Sequence, residues 1–242
     1  MKISNLLEVY EVDFITNLKL EIPWRNSSLT SCSTGNLTSV NRTYTVKELV
    51  NLILNVHETP HETYSVEHAA IPLIEEILGR GRRHERLQVT LPLHGQETTV
   101  AGKPDLIIEK GDFNVVVEHK GIHLEMSERE FQTKSRYRWW WESVIPSRSF
   151  ERHALQSLIY GSMESCLRKV PTVPVIAYTP YKMVDSKAEI YAVVVVYPST
   201  SFSPSSYLLY SMPSPFGNVR MEWLSPEGYL VSILEEVRGR AG

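Results

Sequence analysis

The stretch "GKPDLIIEKGDFNVVVEHKG", residues 102–121, holds two apolar runs, Leu106–Ile108 and Val115–Val117, on either side of Gly111-Asp112. Glycine takes the positive φ that a two-residue hairpin turn demands. With Gly111 and Asp112 as the loop, Lys110 faces Phe113, and counting outward puts Asp105 opposite Glu118. Directly opposed residues on an antiparallel pair have Cβ atoms about 5 Å apart. Two carboxylates at that separation repel each other unless a cation lies between them. Lys120, two residues past Glu118, projects from the same face of the strand, and His119 from the other. The plainer reading is a hairpin with wet, charged ends, because strand termini are commonly charged. A turn shifted by one residue would also change the register.

Around this hairpin the order of elements reads as an α/β domain with a mixed sheet between helices. Residues 26–45 are rich in Ser, Thr and Asn and read as a loop or extension. "TVKELVNLILNV" (45–56) has helical period, as does "SVEHAAIPLIEEILGRG" (65–81), where Ile71, Ile74, Ile77 and Leu78 make the core stripe and Gly79 and Gly81 stop the helix. "RLQVTLPL", "ETTVAG", "DLIIE" and "FNVVVEHK" read as four short strands. Helices follow over roughly 125–144 and 149–165, then strands over 173–178 and 189–198. A Ser/Pro-rich segment (199–217) leads to a last amphipathic helix, "EGYLVSILEEVRGR". The whole reads as one domain, 1–242, with a polar N-terminal extension to about residue 45 and a C-terminal helical extension from about 199.

Composition narrows the classes. The chain has 242 residues, 42% hydrophobic and 22% charged, as in ordinary soluble domains. A net charge of −3 means that any nucleic-acid surface must be a local patch. No apolar run reaches the length of a membrane span. Glu8, Glu11 and Asp13 interrupt the stretch where a signal peptide would be apolar, and Cys32 and Cys166 are too few for a disulfide framework. The expectation is therefore a cytoplasmic protein with reduced thiols and no membrane partner.

Two helices flank the hairpin with further polar signals. In "HALQSLIYG", His153, Gln156 and Tyr160 share one face, with Leu155, Leu158 and Ile159 on another. Taken alone, this is a polar helix face with a half-buried tyrosine. Upstream, His68 sits near the start of its helix. The order His68, Asp105, Glu118-x-Lys120, Gln156-x-x-x-Tyr160 resembles the PD-(D/E)xK nuclease superfamily. More narrowly, it is similar to the RecB-like branch, with the CRISPR-associated exonucleases and their archaeal viral relatives, over about residues 60–200.

That resemblance implies a restriction-endonuclease-like core and a metal-dependent DNA nuclease acting on single strands or ends. It assigns His68, Asp105, Glu118 and the His119 backbone carbonyl to a divalent metal. Hard oxygen ligands suit Mg²⁺ or Mn²⁺, and an imidazole shifts the preference towards Mn²⁺. Lys120 would activate the attacking water, and Gln156 and Tyr160 would hold the DNA backbone or the lysine. A structure-selective endonuclease such as a junction resolvase would share this metal site. A non-catalytic DNA-binding or assembly protein would keep the fold, although the intact Asp105, Glu118 and Lys120 argue against decay. The CRISPR-associated members carry four cysteines on an iron–sulfur cluster; two cysteines cannot supply four thiolates, so no such cluster is expected.

Two basic patches flank the proposed site. "RGRRHER" (80–86) holds Arg82 and Arg83, and "KSRYRWWWESVIPSRSFER" (134–152) mixes Arg136, Arg138, Arg148 and Arg152 with Tyr137, Trp139, Trp140 and Trp141. Arginines on phosphates and aromatics on bases are the ingredients of single-strand binding. The competing reading makes the tryptophans core and the arginines a solvated face. Three successive Trp cannot all face one way. The sequence leaves room for a homo-oligomer.

Overall fold

A computed structural model of the chain describes residues 42–56, 64–145, 147–185, 187–196 and 226–241. The polar segment before residue 42, including Cys32, and the Ser/Pro-rich segment 199–217 lie outside the described residues.

The chain enters through strand β1 (Arg42–Thr45) and helix α1 (Val46–Leu54). Thr45 caps the helix: its hydroxyl accepts from the Glu48 N–H (3.1 Å), while the Glu48 carboxylate accepts from the Thr45 N–H. This reciprocal box satisfies two of the N-terminal donors that a helix leaves unpaired. Helix α2 (Tyr64–Leu78) and strands β2 (Arg82–Arg83), β3 (Leu87–Leu93), β4 (Gln96–Gly102), β5 (Leu106–Glu109) and β6 (Asn114–His123) follow. Then come helices α3 (Glu128–Lys134), α4 (Arg138–Val144) and α5 (Ser147–Arg168), strands β7 (Thr172–Val184), β8 (Lys187–Ile190) and β9 (Val194–Val196), and helix α6 (Pro226–Ala241).

The strands form two sheets where the sequence suggested one. β1, β4 and β3 make a three-stranded sheet, with β1 parallel to β4. The larger sheet runs β2-β5-β6-β7-β8, with β9 also on β7. Its β5–β6 hairpin is antiparallel, and α5 crosses over so that β7 lies parallel to β6. Both faces of β5–β6 are buried, which explains the unbroken apolar runs. Leu106, Ile108, Val115 and Val117 pack under α2 with Ala70, Ile71, Ile74 and Leu78. Ile107 and Val116 point the other way, into a cluster with Leu155, Leu158 and Ile159 of α5 and residues of α1, β3 and α6.

Two expected elements divide. The helix over 125–144 is two helices, because after Ser135 the chain turns extended at Tyr137 (φ −109°, ψ 127°). The Trp141 indole N–H secures that break by donating to the Ser135 carbonyl at 2.9 Å. The strand over 189–198 breaks between β8 and β9, both of which pair with β7. Cys166 is fully buried in α5.

Candidate active site

The turn that opens the hairpin is as the glycine suggested. Gly111 has φ +80°, and the Lys110 N–H donates to the Phe113 carbonyl at 2.9 Å. Leu106 pairs with Val117, so the next rung sets Asp105 beside Glu118. β2 extends the row. Arg83 pairs with Leu106, and the His84 N–H donates to the Asp105 carbonyl at 3.2 Å. Asp105 and Glu118 therefore lie side by side on the face that packs against α5, and His84, just past the end of β2 with φ +50°, adjoins Asp105 at the edge of the row. The period of two brings Lys120 to the same face.

The side chains converge there. Glu118 is buried, and its Oε1 accepts from Lys120 Nζ and from Gln156 Nε2, each at 2.6 Å. Among the described residues its Oε2 is buried with no hydrogen-bond partner. Such an atom costs the desolvation of a charged acceptor unless a cation or donor meets it. Asp105 Oδ2 accepts from the His119 N–H at 2.6 Å. Burial, and then the charge of Glu118, hold the Asp105 carboxyl well above its ordinary range, against the opposing pull of Lys120 and the His119 amide. Glu118 is also raised, by burial, with Lys120 opposing. Burial would lower the Lys120 ammonium, but Glu118 and Asp105 outweigh it and the net shift is upward. Two carboxyls that resist ionising beside one lysine are short of positive charge.

Glu67, His84 and Asp105 place one ligand atom each within 4.8 Å of one another, and the Glu67 and His84 side chains approach to 3.2 Å. This oxygen and imidazole donor set suits a divalent cation, and the unpartnered Glu118 Oε2 on the adjacent rung agrees with it.

His68 is exposed on α2 and does not belong to this group. One helical position is a rotation of about 100°, so Glu67 faces the site where His68 does not. His119 turns its ring the other way, to Thr179 Oγ1 at 2.6 Å, and burial lowers its pKa to about 4. Gln156 holds Glu118 rather than the lysine. Tyr160 is buried; its hydroxyl accepts from the Lys103 N–H at 3.3 Å and lies within reach of the Gln156 amide. It also packs so closely on Gly102 that a Cβ there would lie 2.6 Å from its ring. Tyr160 thus braces the corner that carries Asp105.

The basic patches divide. Arg82 pairs with Glu85, with Glu109 at 3.3 Å and with the fully buried Glu164 at 2.7 Å. Arg83 pairs with Glu75. Both arginines are thus engaged by carboxylates in this structure. Arg136 is exposed. Arg152 lies 3.2 Å from His153 Nε2, and His153 Nδ1 lies 3.0 Å from the Tyr178 hydroxyl. Burial, then Lys120 and Arg152, push the His153 pKa down to about 2. The Arg138 and Arg148 side chains lie outside the described residues.

Sequence reasoning missed Glu67 and His84. Glu67 stands beside the histidine that drew attention, and His84 was absorbed into a basic patch. The signal for His84 is the register of β2, which is only two residues long and has no readable period.

Fold and site together define a mixed α/β protein whose sheets are flanked by helices, with a buried carboxylate–lysine cluster at the mouth of a hairpin. No family model and no curated protein matches the sequence. A solved structure described as "Crystal structure of SSO0001" has a TM-score of 0.35 and 13% identity, over 84% of this chain and 78% of that one. That likeness is too slight to bear on the fold.

Proposed function

We propose that this chain is a metal-dependent DNA nuclease of RecB type that hydrolyses phosphodiester bonds, with single strands or ends as substrate. One observation carries the reading: Asp105, Glu118 and Lys120 meet on one face, where Glu118 keeps a buried oxygen with no hydrogen-bond partner among the described residues and Asp105 also belongs to a Glu67–His84–Asp105 donor group. The order helix, hairpin, crossover helix, parallel strand supports a restriction-endonuclease-like core.

Glu67, His84, Asp105 and Glu118 would hold Mg²⁺ or Mn²⁺, with the His119 carbonyl as a further donor. A bound divalent ion supplies Lewis-acid polarisation of the phosphate and a lowered pKa for water. Lys120 orients the attacking water and offsets the negative charge that grows on the phosphate oxygens. The water oxygen forms the new P–O bond, the bond to the leaving sugar oxygen breaks, and a proton passes to that oxygen. Gln156 fixes the Glu118 rotamer, and Tyr160 fixes the backbone before Asp105.

The test is digestion of labelled single-stranded, duplex and branched DNA with Mn²⁺, with Mg²⁺ and with EDTA. Cleavage should need the metal and vanish in Asp105→Ala and Glu118→Ala. Preference for branched DNA would favour a resolvase, and binding without cleavage would favour a non-catalytic module. Full activity in either variant would sink the site.

A further inference from the structure

The segment between Lys120 and Gln156 leaves one aromatic surface uncovered. Phe131 is buried edge-on against Trp140 and Trp141, with centroids 5.5 and 6.2 Å away. These rings belong to the cluster that holds Phe150, Ala154 and Tyr178. Tyr178 is the β7 partner of Lys120, so that cluster flanks the proposed site. Trp139, one helical position before Trp140, is rotated out of it and is 62% exposed. Tyr137, in the extended break before α4, is 51% exposed. The two exposed rings stack on each other, with centroids 6.0 Å apart and planes at 23°.

Large aromatics left in water beside a buried cluster of their own kind need a reason. Exposed Arg136 adjoins Tyr137, and Arg152 lies on the first turns of α5 beside His153. Flat π-faces with neighbouring guanidiniums complement a strand that offers both base faces and phosphates. A duplex hides its base faces in its own stack.

We propose that Tyr137 and Trp139 form a stacking platform for the unpaired bases of a single-stranded nucleic acid, with Arg136 on its phosphates. The proposal rests on the nuclease reading above and names the strand state that the site receives. Trp140 and Trp141 take no part, since they are core.

The test compares the wild-type chain, Tyr137→Ala/Trp139→Ala and Trp139→Phe. Fluorescence anisotropy in EDTA measures binding of oligothymidylate, an abasic oligomer of equal length and a blunt duplex, and sedimentation velocity measures the assembly state. The double variant should bind oligothymidylate roughly tenfold or more weakly, as expected for lost base stacking. Abasic oligomer and duplex should bind as before, and Trp139→Phe should keep most of the affinity. Unchanged oligothymidylate affinity, or an equal loss on the abasic strand, overturns the platform. A changed assembly state with unchanged DNA binding overturns it in favour of an interface between copies. If wild type still cleaves DNA in those cases, only the platform falls. If wild type neither binds nor cleaves any of the three, the nuclease reading falls with it.

Discussion

At the scale of single residues, Asp105 and Lys120 give separable signatures. Burial and the Glu118 charge raise the Asp105 carboxyl. A group raised in the native state stabilises the fold below its unfolded pKa, and that contribution is lost as pH rises through the native value. Without metal, stability should therefore fall as pH rises from about 4, the ordinary aspartate value, through the raised one. Asp105→Asn should flatten this loss, and thermal melts of both proteins in EDTA between pH 4 and 8 check it. A difference between them that is constant with pH would contradict the shift. Lys120 carries charge that a metal does not want nearby, so Lys120→Ala should leave metal affinity equal or higher. Its turnover should fall by about 100-fold, on the order of 3 kcal/mol. Lys120→Arg should restore little, because the guanidinium is not the compact ammonium. Isothermal titration of metal beside single-turnover cleavage decides it. Lost metal binding with an unchanged rate at saturating metal would make Lys120 a structural partner of Glu118.

At the scale of elements, β2 is too short to be held by its ladder. Its two residues pair with β5, and the Arg82 side chain ties that edge to α5 through Glu164, which also accepts from Asn114 Nδ2 at 2.8 Å. Removing one partner of a buried ion pair leaves an uncompensated charge. Arg82→Ala should destabilise by about 3 kcal/mol, near the low end for a broken buried pair, because Arg168 Nε remains 3.8 Å from Glu164. Urea melts measure this. DNA affinity of the folded variant should change little, and a large loss there would return Arg82 to the phosphates. Since β2 carries the chain into His84, the same variant should also weaken metal binding.

At the scale of the whole molecule, the donor groups come from separate pieces: Glu67 from α2, His84 after β2, Asp105 before β5 and Glu118 from β6. A ligand that binds only the assembled set stabilises the entire fold. Mn²⁺ at a hundred times its dissociation constant should add about 2.7 kcal/mol to unfolding relative to EDTA. Asp105→Asn should lose most of that gain, and His84→Ala a large part of it. Calorimetric melts with and without metal measure both, and an equal gain in Asp105→Asn would place the ion elsewhere.

The hairpin was legible in the sequence because its information is local. A glycine that tolerates positive φ sets the turn, and a side-chain period of two then dictates that Asp105 faces Glu118 and that Lys120 shares their face. The helical stripe of Ile71, Ile74 and Leu78 was legible for the same reason. What the sequence could not show depends on contacts between distant segments. Whether Glu67 or His68 faces the carboxylates depends on how α2 is rotated over the sheet, and neighbouring helical positions differ by about 100°. Whether Arg82 meets a phosphate or Glu164 depends on a residue 82 positions away. The choice of Trp139 over Trp140 and Trp141 as the exposed ring came from packing against Phe131 and Tyr178, and the split into two sheets from strand pairings that local periodicity does not encode. Local periodicity decides which residues share a face; only the tertiary structure decides what that face meets.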